Sequence, residues 1–438
     1  MKMADMVIVS VDDHISEPPD MFNQHLKGDD LATAPQFHTS PTGANYWTYQ
    51  GMIMTSVGLN AVVGRVPEEY GMEPQSLEQV RKGCYDPKAR IDDMNVNGIA
   101  ASLNFGSVGG FDGSRCFHKA PDLTLAVKHL RVYNDWHILE WCGFDRGRFI
   151  PCALLPTWDM SATVTEIKRI AALGCTSVTL SENPTRMGLP SIHNVYWEPM
   201  WRALTEHNIT ICLHIGSGNP PPHASDETPI EAWITTMPMS ISVGAADWLQ
   251  LEALQRYPDL KIILSESGIG WVPYFMERAD FSHSRHKAWT HSGYGGKKPS
   301  GVFRDHFMTC FIDDAFGLQN LAAIGEDNVA YECDYPHSDA LWPEVPEYLW
   351  KSLQHLTDTR IDKITHLNAM HWLHHDLFKH YKRDELTVGA LRGKAAADKV
   401  DITPISSGGA APLADGEVKR RVTSGDIFRM MAKQANVA

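Results

Sequence analysis

Short apolar runs rich in β-branched residues alternate with longer segments of helical spacing along most of the 438-residue chain. The first run is Val7-Ile8-Val9-Ser10-Val11, and seven more follow at 99–105, 149–154, 176–180, 209–213, 261–264, 308–312 and 329–332. Between them, residues 162–173, 198–207, 245–257 and 317–324 carry apolar positions at helix spacing. Near-continuous apolar strands separated by helices predict a parallel sheet covered by helices. Eight such units predict an α/β fold of the (β/α)8 TIM-barrel type. A doubly wound sheet would carry a Gly-rich turn after its first strand. Here the first run leads into Asp12-Asp13-His14, which favours the barrel.

Two regions break the alternation. Residues 18–85 are rich in Pro, Gly, Met and aromatics and have no clean period. They read as an insertion after strand one, over the face where barrels place their active sites, within a barrel spanning 1–383. Residues 384–438 include Ser406-Ser407-Gly408-Gly409-Ala410-Ala411-Pro412 and read as a C-terminal extension. The extension is expected to be intersubunit or partly flexible, with a short helix over 424–434.

Chemistry in such a barrel sits where the strands end. Strand one delivers Asp12 and His14, strand five His214, strand six Glu266, and strand eight Asp334 with His337 three residues on. Residues two apart on a strand share a face, so Asp12 and His14 can grip one ion while Asp13 turns away. Two carboxylates and two imidazoles form a mixed nitrogen/oxygen site for one divalent metal ion, suited to Zn²⁺, with Mn²⁺ and Fe²⁺ as alternatives. Taken singly, each residue also has an ordinary structural reading as a turn cap or a hydrogen-bonded core histidine. Their placement at the same end of four strands is what points to a site. Glu266 is open to three roles: general base, ligand, or orienter of His214. His337 is open to orienting Asp334, binding a substrate carboxylate, or donating a proton.

Charge narrows the partners. Lys and Arg total 39 against 53 Asp and Glu, a net charge of −14, which repels nucleic-acid backbones and anionic membranes. No stretch approaches the roughly 20 apolar residues of a membrane span, and the N-terminal apolar run is too short for a signal-peptide core. The eight cysteines are scattered, with no Cys-x-x-Cys pair, a distribution expected of a reducing cytoplasm.

Several segments together resemble the amidohydrolase-related, metal-dependent TIM-barrel hydrolases. That branch of the amidohydrolase superfamily includes aminocarboxymuconate semialdehyde decarboxylase and the resorcylate and carboxyvanillate decarboxylases. The matching segments are Val11-Asp12-Asp13-His14 with Glu17-Pro18-Pro19, Asp86-Pro87 through Arg90-Ile91-Asp92-Asp93-Met94, and Asn134-Asp135-Trp136. Leu213-His214-Ile215-Gly216, Ser265-Glu266-Ser267-Gly268, Asp334-Tyr335-Pro336-His337 and Asn368-Ala369 complete the set. The resemblance implies one divalent metal held by Asp12, His14, His214 and Asp334, and a homodimer or higher homo-oligomer. It also implies hydrolysis or non-oxidative decarboxylation of a small carboxylated or aromatic compound. Two positions depart from the family pattern: Asp12 stands where His or Glu is frequent, and Glu266 stands where many members have His.

These readings favour a metal-dependent hydrolase acting on an amide, ester, thioester or activated ring carbon, with Asp334, Glu266 and His337 as the catalytic candidates. The alternative is a decarboxylase of an aromatic or unsaturated acid. A third reading, a non-catalytic scaffold, has against it the intact Asp/His/His/Asp set. Tyr46, Trp47, Met52, Met54, Tyr70, Met72, Trp158, Trp233, Met237, Met239 and Trp271 are candidate walls for a small-molecule substrate with an apolar or aromatic part.

Overall fold

The computed structural model describes residues 1–55, 57–58, 60–70, 74–219, 223–405 and 420–437, with side chains up to 430. Its strands in chain order are β1 (Val9–His14), β2 (Gln36–Thr39), β3 (Asn45–Tyr49), β4 (Met52–Met54), β5 (Ala101–Phe105) and β6 (Phe149–Ala153). β7 (Ser177–Leu180), β8 (Thr210–His214), β9 (Ile262–Ser265), β10 (Phe307–Phe311) and β11 (Val329–Tyr331) follow. Eight of them form one parallel sheet in the order β1-β5-β6-β7-β8-β9-β10-β11. The ends meet: Asp334 N–H donates to the Asp12 carbonyl at 2.8 Å, and His14 N–H donates to the Tyr335 carbonyl at 2.6 Å. The sheet is a TIM barrel, and these two hydrogen bonds bring the ends of β1 and β11 together.

All eight barrel strands lie where the apolar runs predict them, because every residue of a strand buried on both faces has to be apolar or internally satisfied. Alternate positions fill the barrel interior, including Val9, Val11, Cys212, Ile263, Cys310 and Ala330, all fully buried. The covering helices start on side-chain caps. Asp86 accepts from Ala89 N–H, Asp122 from Leu125 N–H and Asp159 from Ala162 N–H, each satisfying an otherwise unpaired helix-terminal donor. All eight cysteines are free and buried.

One predicted helix is displaced. Instead of a single helix over 245–257, a 20-residue helix runs Ile230–Leu249 and a short one follows at Ala253–Arg256. The first half of the long helix contains Pro238 and a run of β-branched and Met residues, so its sequence lacks helix periodicity. No helix among the described residues is long and apolar enough to cross a membrane.

Within 18–85, β2, β3 and β4 form a separate antiparallel sheet. This region touches the loop after β11: Val63 N–H donates to the Pro336 carbonyl at 3.0 Å, and Asn60 Nδ2 donates to Ser338 Oγ at 3.1 Å. Beyond 383, helix Val388–Ala397 buries Val388, Leu391 and Ala395. Helix Ser424–Val437 lies beside the long 230–249 helix, with Phe428 and Trp233 ring centroids 5.4 Å apart. The Gly/Ala/Ser-rich stretch from 406 to 412 lies outside the described residues.

Candidate metal centre and active site

The four residues expected to share an ion converge. β1 turns Asp12 and His14 to the same side, β8 ends in His214, and Asp334 follows β11. His14 Nε2 lies 3.3 Å from Asp12 Oδ1 and 3.2 Å from Asp334 Oδ1, while His214 Nε2 lies 3.4 Å from Asp12 Oδ2. The two Nε2 atoms are 3.3 Å apart. All four side chains are at most 2% exposed. Asp13 points elsewhere, as strand alternation requires: its Oδ1 accepts from Ser10 Oγ at 3.0 Å, and Oδ2 is 3.8 Å from the buried Arg90 guanidinium.

Whether this cluster suits a cation follows from its unmet polar groups. Both carboxylate oxygens of Asp12 are buried without a hydrogen-bond partner, an arrangement costly in an apolar interior unless a cation is to occupy it. His214 is set as a ligand: its Nδ1–H donates to the Ile215 carbonyl at 2.7 Å, leaving the Nε2 lone pair directed into the cluster. The donor atoms of Asp12, His14 and His214 lie within 4.8 Å of one another, as do those of His14, Asp334 and His337. The donor set fits a divalent ion.

The electrostatics agree. Burial raises Asp12 well above the ordinary carboxylate range, and the charges of Asp334 and Asp13 add to it. Burial depresses both His14 and His214, favouring the neutral form that a ligand requires. Burial also opposes ionisation of Asp334, but His337 and His14 overcome it and hold that carboxyl below its usual range. In return Asp334, 2.7 Å from His337 Nδ1, raises that imidazole against the pull of burial.

Glu266 and Asp334 both sit at positive φ, 54° and 56°. Non-glycine residues enter this left-handed region at a cost, and such conformations concentrate where a side chain has to be aimed. Glu266 Oε2 is 3.5 Å from His214 Nε2. Burial pushes its carboxyl well up, with Asp334 and Asp12 contributing.

Three participants escape the sequence reading. Glu332 directly follows β11, two residues before Asp334. It accepts from Glu266 N–H at 2.9 Å and Cys310 Sγ at 2.6 Å, and burial pushes it up to about 8. Phe111 lays its ring 4.0 Å from that of His214 and 4.9 Å from that of His14, and Phe105 lies 5.0 Å from His214. The phenyl rings that meet these imidazoles are therefore Phe105, edge-on to His214 at 73°, and Phe111, tilted against it at 35°. Of the expected wall residues, Trp47 and Met54 lie in the core, Tyr46 stacks on His38, and Trp271 packs on Phe275 and donates to the Ser267 carbonyl at 2.9 Å. Met72 lies outside the described residues. His337 stacks on His14 at 3.9 Å, so it belongs to the site.

The Amidohydrolase family profile matches residues 117–374, more than half of the chain, and the protein belongs to that family. Among curated proteins it is similar to a 6-methylsalicylic acid decarboxylase of Penicillium expansum, 30% identical over 168 residues. That match covers 36% of this chain and 48% of the relative, so it spans about half the relative's length. Among solved structures it resembles an amidohydrolase from Mycobacterium avium subsp. paratuberculosis K-10, with TM-score 0.65, 19% identity, and coverage of 84% of this chain and 99% of that one. It also resembles a 5-carboxyvanillate decarboxylase from Novosphingobium aromaticivorans solved with bound manganese, with TM-score 0.59, 16% identity, and coverage of 84% and 97%.

Proposed function

We propose that the protein removes the carboxyl group of an aromatic carboxylic acid without oxidation, using one divalent ion held by Asp12, His14, His214 and Asp334. The observation that carries this reading is the pairing of a buried carboxylate–imidazole cluster with the rings of Phe105 and Phe111. One side of the site suits an ion that receives oxygen ligands; the other is an aromatic surface. The 6-methylsalicylic acid decarboxylase to which the chain is similar is consistent with this reaction.

When bound, the ion supplies Lewis-acid neutralisation of the substrate's carboxylate and of an adjacent ring oxygen, with Zn²⁺ or Mn²⁺ suited to the donor set. The chain's own residues supply the rest. In the overall reaction the bond from ring carbon to carboxyl carbon breaks, carbon dioxide leaves, and one solvent proton takes its place on the ring. His337, paired through Nδ1 with Asp334 at 2.7 Å and stacked on His14, is placed to deliver that proton, and Asp334 positions it. Glu266 reaches the same centre, its Oε2 3.5 Å from His214 Nε2. Phe105, on β5 and 5.0 Å from the His214 ring, excludes water beside it.

The partner on this reading is a second copy of the chain. Val243, Tyr274 and Trp289, 61%, 73% and 70% exposed on helices Ile230–Leu249 and Val272–Thr290, are apolar side chains that a homodimer would cover. The reaction is tested with a panel of carboxylated phenols, aryl amides and thioesters, assayed in deuterated water. Carbon dioxide release with one deuterium on the product ring supports decarboxylation. Amine, alcohol or thiol release without carbon dioxide returns the hydrolytic reading.

A further inference from the structure

We propose that Phe111 is a displaceable cover over the donor cluster, and that the substrate's aromatic ring takes its place against His214. The identity of the incoming ring rests on the aromatic-acid reading above, whereas the cover follows from the geometry alone.

Asp12, His14, His214 and Asp334 are at most 2% exposed, so a substrate reaches them only after some neighbouring group moves. Most neighbours are tethered. His337 is paired with Asp334 at 2.7 Å, Phe105 belongs to β5, and the backbone of Glu266 is bonded to Glu332. Phe111 is held differently. It sits near the tip of residues 106–113, Gly-Ser-Val-Gly-Gly-Phe-Asp-Gly, which lead out of β5.

The stem of this loop is fixed. The buried Glu17 carboxylate accepts from Ser107 N–H at 2.9 Å, Ser107 Oγ at 2.7 Å and Val108 N–H at 3.0 Å. Tyr133 Oη donates to the same carboxylate at 3.0 Å. A Cβ on Gly106 would stand 1.8 Å from Tyr133 Oη, so only glycine permits this seat. The tip is tied to its own loop: Gly110 N–H donates to the Ser107 carbonyl at 3.0 Å and Gly113 N–H to the Gly110 carbonyl at 3.2 Å. Gly110 and Gly113, at φ 70° and 78°, bracket Phe111 in backbone conformations natural to glycine. Phe111 itself makes no backbone hydrogen bond among the described residues. Ring contacts with His214, His14 and Phe105 hold it in place. A planar substrate ring would exchange one such contact for another of the same kind, which an aliphatic acid cannot do. The cover thereby becomes a selector for aromatic acids.

Two readouts on the full chain test this, using Phe111→Ala and the volume-conserving Phe111→Leu, which keeps the question answerable if the alanine variant fails to fold. In metal-free protein, diethyl pyrocarbonate labelling of His214, read by peptide mass spectrometry, is expected to run at least about ten-fold faster in Phe111→Ala than in the wild type, with Phe111→Leu between them. Equal rates would overturn the cover. In manganese-loaded protein, salicylate is expected to bind Phe111→Ala about three-fold or more tightly than wild type, because no ring has to be displaced. Equal or weaker binding makes Phe111 a fixed wall and overturns the displacement. If salicylate binds neither protein, the aromatic-acid reading and the displacement both fall, and the labelling rates still decide the cover.

Discussion

The side chain of Glu332 accepts the backbone N–H of Glu266 at 2.9 Å, joining the acid that directly follows β11 to the residue that follows β9 across the intervening β10. Cys310, on β10, donates to the same oxygen. The left-handed backbone of Glu266 is thus held by a buried carboxyl. Glu332→Ala leaves that N–H without a partner and is expected to cost about 1–3 kcal/mol. Glu332→Gln, which keeps an acceptor, is expected to cost less. Urea denaturation of the two variants checks the order, and equal losses would show that the Glu266 contact is not what Glu332 provides.

Asp12 and Asp13 are neighbours with opposite roles. Asp13 is satisfied by Ser10 and the Tyr335 N–H and faces Arg90, so Asp13→Ala is expected to destabilise the fold by about 3 kcal/mol or more, stranding the Arg90 charge. Asp12 has no hydrogen bond to either oxygen and has like charges beside it. With metal removed, Asp12→Asn is expected to stabilise by about 1 kcal/mol, because an uncompensated buried acid is gone. Thermal unfolding in excess chelator reads both signs. A destabilised Asp12→Asn would mean that the carboxylate has an internal partner.

The barrel and the four residues that come together at its rim could be read from the sequence because each strand is an apolar run that ends in a polar residue on one rim. Asp12, His14, His214 and Asp334 stand out against that background. Glu332 does not, since it looks like the last residue of the Val-Ala-Tyr-Glu run, although its spacing from Asp334 was visible. Phe111 sits in a glycine-rich loop whose path depends on a distant acid, Glu17, and no local pattern carries that information. The long 230–249 helix was hidden by Pro238 and by apolar residues on all sides. Composition offered many aromatic candidates for the pocket wall, but composition does not say which rings meet the imidazoles.

Acid sensitivity has an identifiable source away from the site. Burial lowers His137 from 6.5 to about 4, and burial with the nearby Arg383 charge lowers His366 to about 4. Both are neutral in the fold, and unfolding lets them take up protons. Their contribution is complete above about pH 6.5 and is lost as pH falls toward 4, up to about 3 kcal/mol each. Stability measured between pH 7.5 and 4.5 is expected to fall. His137→Gln, which keeps an acceptor for the Cys152 N–H, is expected to flatten part of that slope. An unchanged slope would assign the acid loss to other groups.

His337 separates proton delivery from metal holding. On the decarboxylase reading, His337→Asn is expected to lower kcat by about 10²-fold or more while metal content stays at the wild-type level. Loss of metal along with activity would instead make His337 a ligand.

The most direct test is diffraction from crystals of the purified protein, with anomalous data collected at the zinc, manganese and iron edges. The expected result is one anomalous peak within about 2.0–2.3 Å of donor atoms from Asp12, His14, His214 and Asp334, absent in crystals of His214→Ala. Data showing no peak among these four side chains, or a peak unaffected by His214→Ala, would contradict the metal centre on which the proposed chemistry depends.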